Sequence, residues 1–380
     1  MSNPSTQAEK YFNEGFCYLN SFTIKDKNIN YSRLLCEDSE YDLDNGFIGA
    51  IKLYSYDYEK AIEKFNEAIS QSPVYALAYK YRAKAYESLE KYKEATADYN
   101  TWIKLDPDNA IAYLNRANCI ADYDEEKALL EYNKVLELKP EYISAYNNRG
   151  RTYFSLNRKA LGILDFEKSI ALCTQKIQNN SKDAINYYYR GWALEKLDKK
   201  TEAMQDFDQS IALNPKHFAS YFSRGFLKYN QEDYEGAIFD FRETLNLDPN
   251  NYYCCMMLAN CYLEMDKLKE AMVFCIQSLT IKETDSAMYI KSILLSGMEN
   301  YRAAQQSYEK TYEINPGIRG LKRHIKFLQH YNRLGRLPGI SKWQLQKLKL
   351  HITKYKIDSV AGKFFKRYKT KTSSLLRKRK

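Results

Sequence analysis

The chain has 380 residues, with 58 Lys/Arg against 48 Asp/Glu, a net charge of +10 and 44% hydrophobic residues. Its apolar residues never run together for the ~20 positions that a bilayer-spanning helix needs, and its start, MSNPSTQAEKYFNEG, lacks the basic-then-apolar order of a secretory signal. Eight cysteines fall mostly within predicted helices, without disulfide-framework spacing, which places the chain in a reducing compartment.

In chain order, Tyr11, Glu14, Gly15 and Tyr18 have the spacing of one helix, and Phe22–Leu43 fits no pattern. Residues 1–41 are therefore read as a degenerate N-terminal helical cap with a loop. From there prolines mark a ruler: Pro73, Pro107, Pro140, Pro215, Pro249 and Pro316 are 34, 33, 75, 34 and 67 residues apart. That period predicts stacked helical hairpins, here eight over 42–318: 42–75, 76–109, 110–142, 143–183, 184–217, 218–251, 252–284 and 285–318. Within the unit, residues align in columns. Tyr79, Tyr113, Tyr146, Tyr187 and Tyr221 form one; Ala83, Ala117, Gly150, Gly191 and Gly225 form another, four residues on. Ala95, Ala128, Gly162, Ala203 and Ala237 each precede by four an aromatic residue: Tyr99, Tyr132, Phe166, Phe207 and Phe241. Small residues let two helices approach, and the aromatic one turn later fills the space between hairpins. The proline stops the second helix.

The fourth repeat lacks its proline and has seven extra residues, so its second helix is predicted to end near Asn179 or Asn180. The seventh puts Cys255 in the Tyr column and Cys275 in the aromatic column. Residues 319–337 read as a capping helix, with Leu321, Ile325, Leu328 and Leu334 toward the last hairpin. Pro338–Gly339 breaks it. The remainder, 338–380, is a basic tail that opens with the amphipathic ISKWQLQKLKLHITKYKI. Over 317–380 there are 20 Lys/Arg and one acid, leaving 38 basic and 47 acidic residues in the rest. An acidic array with a basic tail points to an anionic partner for the tail, nucleic acid or an anionic lipid surface.

An arginine follows each tyrosine of the column by three: Arg82, Arg116, Arg149, Arg190 and Arg224. Fifteen or sixteen residues later stand Asp98, Glu131, Asp165, Asp206 and Asp240. Where the arginine is missing the acid is missing too, at Leu258 with Phe274, at Ile48 with Lys64 and at Lys291 with Ser307. Joint occurrence predicts ion pairs Arg82–Asp98, Arg116–Glu131, Arg149–Asp165, Arg190–Asp206 and Arg224–Asp240, joining first helix to second by a forked guanidinium. The other reading, a ladder that binds an anion, is weaker because each arginine brings its own counter-charge.

No phosphate-binding Gly loop, His-Glu-x-x-His or nucleophile elbow is present. His217, His324, His330 and His351 form no dyad, and no catalytic residue is assigned. Cys254, Cys255, Cys261 and Cys275 lie close in sequence, but the adjacent pair points in different directions from one helix and does not suit one tetrahedral ion. The chain is read as having no metal site and no cofactor.

The columns, best seen in AYKYRAKAYESLEKYKEATADYNTWIKLDP (78–107), resemble the tetratricopeptide repeat family in its bacterial-type Tyr-x-x-Arg-Gly variant. The resemblance implies an all-α fold, a right-handed α-solenoid of helix-turn-helix hairpins, whose first helices line a concave groove. It implies a ligand groove with Asn147 and Arg151 at a polar margin, Tyr188, Trp192, Phe222 and Phe226 at its centre, and Tyr253 and Met256 beyond. Family members that clamp chaperone C-termini use Lys and Asn, Asn, then Lys and Arg. Here Asn118 and Asn148 match, but Leu114, Ile185 and Tyr189 stand in the cation slots, so that activity is not carried over. The expected function is a protein–protein interaction scaffold, not an enzyme, holding a peptide or helix in an aromatic-lined groove. The alternatives are a tail-driven adaptor to nucleic acid or anionic membrane, and a bacterial secreted effector engaging host proteins. The expected location is cytoplasmic, or outside the cell by an export route without a signal peptide.

Overall fold

The structure, a computed structural model, describes residues 5–19, 58–298 and 300–317, with 321, 322, 325, 326, 328 and 329 beyond them. Among the described residues the secondary structure is entirely helical. The chain divides into two compact units, 1–223 and 224–380. The first contains α1 (Thr6–Leu19), α2 (Tyr58–Gln71), α3 (Ala76–Ser88), α4 (Tyr92–Leu105), α5 (Ala110–Ile120), α6 (Glu125–Leu138), α7 (Ile143–Ser155), α8 (Lys159–Asn179), α9 (Ala184–Lys196) and α10 (Lys200–Leu213). Helix α11 (Phe218–Asn230) spans the boundary. The second unit continues with α12 (Tyr234–Leu247), α13 (Tyr252–Glu264), α14 (Leu268–Ile281), α15 (Asp285–Gly297) and α16 (Tyr301–Ile314). Within each unit, consecutive helices pack as antiparallel neighbours, in stacked helix pairs.

The columns explain the packing. Ala83, Ala117, Gly150 and Gly191 are buried on the first helices, and Tyr99, Tyr132, Phe166 and Phe207 are buried opposite them. A Cβ at Gly150 would stand 3.0 Å from the Phe166 ring, and one at Gly162 would stand 2.7 Å from the Gly150 carbonyl. These two helices touch backbone to backbone, which is why the odd repeat replaces alanine by glycine in the second helix.

Each end of a helix has its own device. In five of the hairpins the chain turns between first and second helix through a left-handed residue: Glu90, Asn157, Asp198, Glu232 and Asp266 have φ between 57° and 67°. The turn closes with Glu90 N–H on the Glu87 carbonyl at 2.9 Å and Lys91 N–H on the Tyr86 carbonyl at 2.8 Å, which satisfies the last carbonyls of α3. Between hairpins, Asn109, Asp183 and Asn251 accept backbone N–H bonds at the starts of α5, α9 and α13. The Tyr column locks the same junction: Tyr79 and Tyr146 donate their hydroxyls to the Pro73 and Pro140 carbonyls, each at 3.0 Å.

The first hairpin differs from the predicted 42–75. Helix α2 packs on α1, so 6–19 supplies the first helix of a hairpin and is not a separate cap. Gly15 takes the small-residue place, with a Cβ there 2.9 Å from the Phe65 ring. Lys64, predicted opposite Ile48, meets Glu14 at 3.4 Å. The position of Ile48 lies outside the described residues. The period-based reading missed this because the chain between the two helices is far longer than the unit's own turn. At the other end, Leu321, Ile325 and Leu328 join Tyr289, Ile293, Tyr301 and Tyr308 in a core over α15 and α16. Leu334 and the tail 338–380 lie outside the described residues.

Candidate binding face of the first helices

Arg82, Arg116, Arg149 and Arg190 each make three kinds of contact. Arg82 donates Nε and Nη2 to the two Asp98 carboxylate oxygens at 2.7 and 2.6 Å, and Nη1 to Asn66 of the preceding hairpin at 2.6 Å. Its guanidinium lies 5.4 Å from the Tyr79 ring centre. Arg149 repeats this with Asp165 (2.8 and 2.7 Å), Asn133 (2.7 Å) and Tyr146 (5.6 Å). Arg190 bonds Asp206 at 2.8 and 2.7 Å and Thr174 at 3.3 Å. Arg116 reaches Glu131 by a single 2.5 Å bond and Asn100 at 2.6 Å, and its buried Nε has no partner. In the second unit Arg224 forks onto Asp240 at 3.0 and 2.5 Å, and Lys228 joins the same carboxylate at 2.8 Å. These cations are committed to carboxylates and amides inside the array. They are not a row of open anion sites.

The acceptors Asn66, Asn100, Asn133 and Thr174 were not read from the sequence. The signal was there: each stands 16 residues before its arginine, as the acid stands 15 or 16 after it. The seventh hairpin extends the rule. Leu258 fills the arginine slot and Phe274 the acid slot, and the cation moves to the backward slot as Arg242. Arg242 donates to the Tyr262 hydroxyl at 2.9 Å and lies 5.9 Å from the Phe274 ring, on which Tyr262 stacks at 5.6 Å.

The predicted groove residues fall into two groups. In the first unit, Lys84, Asn118, Arg151 and Trp192 take one slot on four consecutive first helices, α3, α5, α7 and α9. Asn118 and Arg151 are exposed, and Lys84 and Trp192 are half-buried. Asn118 is held by the Tyr132 hydroxyl at 2.8 Å and by Asn148 at 2.9 Å. Trp192 sets its ring edge-to-face on Phe166 at 5.8 Å, with Lys196 over it at 4.9 Å. Phe222 is half-buried. Asn147 is corrected: it is 2% exposed and donates to the Tyr189 carbonyl at 3.3 Å, so it belongs to the α7–α9 packing and not to a polar margin. Tyr188 also packs inward, 4.9 Å from the His217 ring and 6.3 Å from Phe207. In the second unit, Phe226, Tyr253 and Met256 are half-buried.

His217 is 3% exposed and shares a 2.7 Å hydrogen bond between Nδ1 and the Ser220 hydroxyl. Ser220 and Ser210 are 2.8 Å apart, and Ser210 donates to the Ala184 carbonyl at 2.8 Å. That order makes Ser220 the donor to Ser210 and Nδ1–H the donor to Ser220. Burial pulls the imidazole pKa down to about 4. Cys119, Cys173, Cys254, Cys255, Cys261 and Cys275 are buried free thiols. Among the described residues no three His, Cys, Asp or Glu side chains gather as metal ligands, and no helix is long and apolar enough to cross a membrane.

Paired helices stacked through repeated columns, with one face of first helices left partly open, define an α-solenoid. Family models described as tetratricopeptide repeat match residues 51–110, 143–176, 184–217 and 229–289. The chain belongs to the tetratricopeptide repeat family. It is 25% identical over 208 residues to tetratricopeptide repeat protein 6 of Homo sapiens, a match covering 46% of this chain and 39% of that one. To Hsp70-Hsp90 organizing protein 1 of Glycine max it is 24% identical over 310 residues, covering 78% of this chain and 51% of that one. It thus spans about half the length, or less, of these relatives. The crystal structure of the APC/C hetero-tetramer Cut9–Hcn1 shares the fold, with TM-score 0.53 and 14% identity over 82% of this chain and 57% of that chain.

Proposed function

We propose that the chain is a protein-interaction scaffold that holds a peptide segment of a partner on the first-helix face. One observation carries the reading. Lys84, Asn118, Arg151 and Trp192 share a slot on consecutive hairpins and all reach solvent, while the column arginines beside them are taken up internally. The row runs from cationic and amide groups to an indole. It suits an extended segment with an apolar anchor at Trp192 and a polar or acidic stretch toward Arg151 and Lys84. Tyr188, one turn before Trp192 on α9, and the half-buried Phe222 add aromatic side chains toward that end. Phe226, Tyr253 and Met256 hold corresponding first-helix slots in the second unit. Membership of a family that includes a chaperone-organizing protein favours a scaffold over an enzyme. Selection of a displayed random-peptide library on the full chain tests this. Trp192→Ala and Arg151→Glu should each weaken a selected peptide by at least about tenfold, with helicity unchanged. Equal affinity in both folded variants would remove the site from this face.

A further inference from the structure

In the second unit, α12 and α14 turn a row of large apolar side chains to solvent. Phe239 is 57% exposed, and Val273 and Ile276 are 61% and 50% exposed. Phe239 and Val273 occupy the same slot of successive second helices, directly before Asp240 and Phe274, so the repeat turns them the same way. A cluster of this kind on second helices is separate from the first-helix face, and exposed apolar clusters mark contacts. Glu235 and Glu270 are exposed on the same two helices, and neither makes an ion pair among the described residues. The surrounding 224–317 carries 9 Lys/Arg and 14 Asp/Glu.

We propose that this face is covered by residues 340–357 of the same chain. That segment has the complementary chemistry: Leu345, Leu348, Ile352 and Tyr355 recur at three- and four-residue spacing, among five lysines and no acid. Its apolar side chains meet Phe239, Val273 and Ile276, and its lysines meet Glu235 and Glu270. The reach is sufficient. Leu321, Ile325 and Leu328 fix the preceding chain on α15 and α16, and the residues from Gln329 to Ile340 can span up to about 36 Å. α14 packs on α15 and α15 on α16, and packed helices lie 8–10 Å apart, so α14 lies within about 20 Å of α16 and α12, two contacts further, within about 40 Å. Coverage removes apolar surface from water and sets the tail's positive charge against the acidic array, whereas an uncovered tail gains neither.

The test uses the full chain with benzoylphenylalanine in place of Val273, irradiated at low micromolar concentration. Intrachain cross-links to peptides within 340–357 are expected. The added change Glu235→Lys with Glu270→Lys should lower their yield about fivefold, with helicity unchanged. Cross-links that map elsewhere or fail to form overturn the proposal. So does product confined to chain dimers, which would make a second copy the occupant. A yield indifferent to the charge reversal overturns it as well, since charge complementarity selects this segment.

Discussion

Lys64 meets Glu14 at 3.4 Å, with the positive group on the second helix and the negative on the first. The relationship is the inverse of Arg82–Asp98 one hairpin later, where the first helix carries the cation at 2.6 Å from the acid. Lys64 also lies 5.4 Å from the Tyr11 ring, so the tyrosine keeps its cation although the cation comes from the other helix. The contact between helices is what the repeat preserves, with polarity free to reverse.

Reversing the pair should therefore be tolerated and breaking it should not. Glu14→Arg alone or Lys64→Asp alone should cost about 1 kcal/mol, because both side chains are partly exposed and like charges are brought together. The double variant should recover the part due to Glu14, leaving the loss of the closer 2.9 Å Lys64–Glu67 pair within α2. Chemical denaturation followed by amide exchange in α1 and α2 reads the difference; additive losses in the double variant would show that the two groups do not interact.

The Arg149–Asp165 pair sits deeper, with Asp165 only 5% exposed. Arg149→Ala should cost about 3 kcal/mol by leaving that carboxylate uncompensated. Replacing the pair as the seventh hairpin does, Arg149→Leu with Asp165→Phe, should cost less than Arg149→Ala. Thermal melts of the full chain, with exchange protection in α7 and α8, compare them; equal losses would sink the explanation.

The turn residue Glu232 has φ of 67°. An L-residue other than Asn or Asp is disfavoured there. Glu232→Gly should stabilise the second unit by about 0.5–1 kcal/mol despite the greater unfolded freedom of glycine. A lower melting temperature for the variant would mean that Glu232 contributes a contact worth more than the strain.

His217 makes the array acid-sensitive. Its pKa is lowered from 6.5 to about 4 by burial, so the unfolded chain takes up this proton below pH 6.5 while the folded chain refuses it until about pH 4. The contribution is fully present above pH 6.5 and is lost as pH falls through that window, reaching about 3 kcal/mol. His217→Gln should flatten the pH dependence of stability between pH 4.5 and 7. An unchanged slope would assign acid sensitivity to other groups.

Much of this architecture is legible in the sequence, because the columns have local physical causes. Gly150 opposite Phe166 and Arg149 opposite Asp165 can each be read from spacing and complementarity. The first hairpin was obscured for two reasons: the 20–57 segment breaks the period, and Glu14 with Lys64 carries the pair in inverted charge. Asn66, Asn100 and Asn133 escaped because asparagine has no obligatory partner, so its recurrence does not announce a bond. The first-helix face was harder still. Whether Asn147 or Arg151 faces water depends on how α7 meets α9, which composition and period leave open. The bond from the Asn147 side-chain amide to the Tyr189 carbonyl decides it.

The arginines that grip an acid ahead and an amide behind give the array a module that is offset from its hairpins. A hairpin grafted alone into another array would arrive without the asparagine its arginine expects. A graft cut between first and second helix, running from Asn66 through Arg82, would carry that joint intact. In the chain itself the Glu14–Lys64 contact already makes such a joint between α1 and α2, helices that stand far apart in sequence.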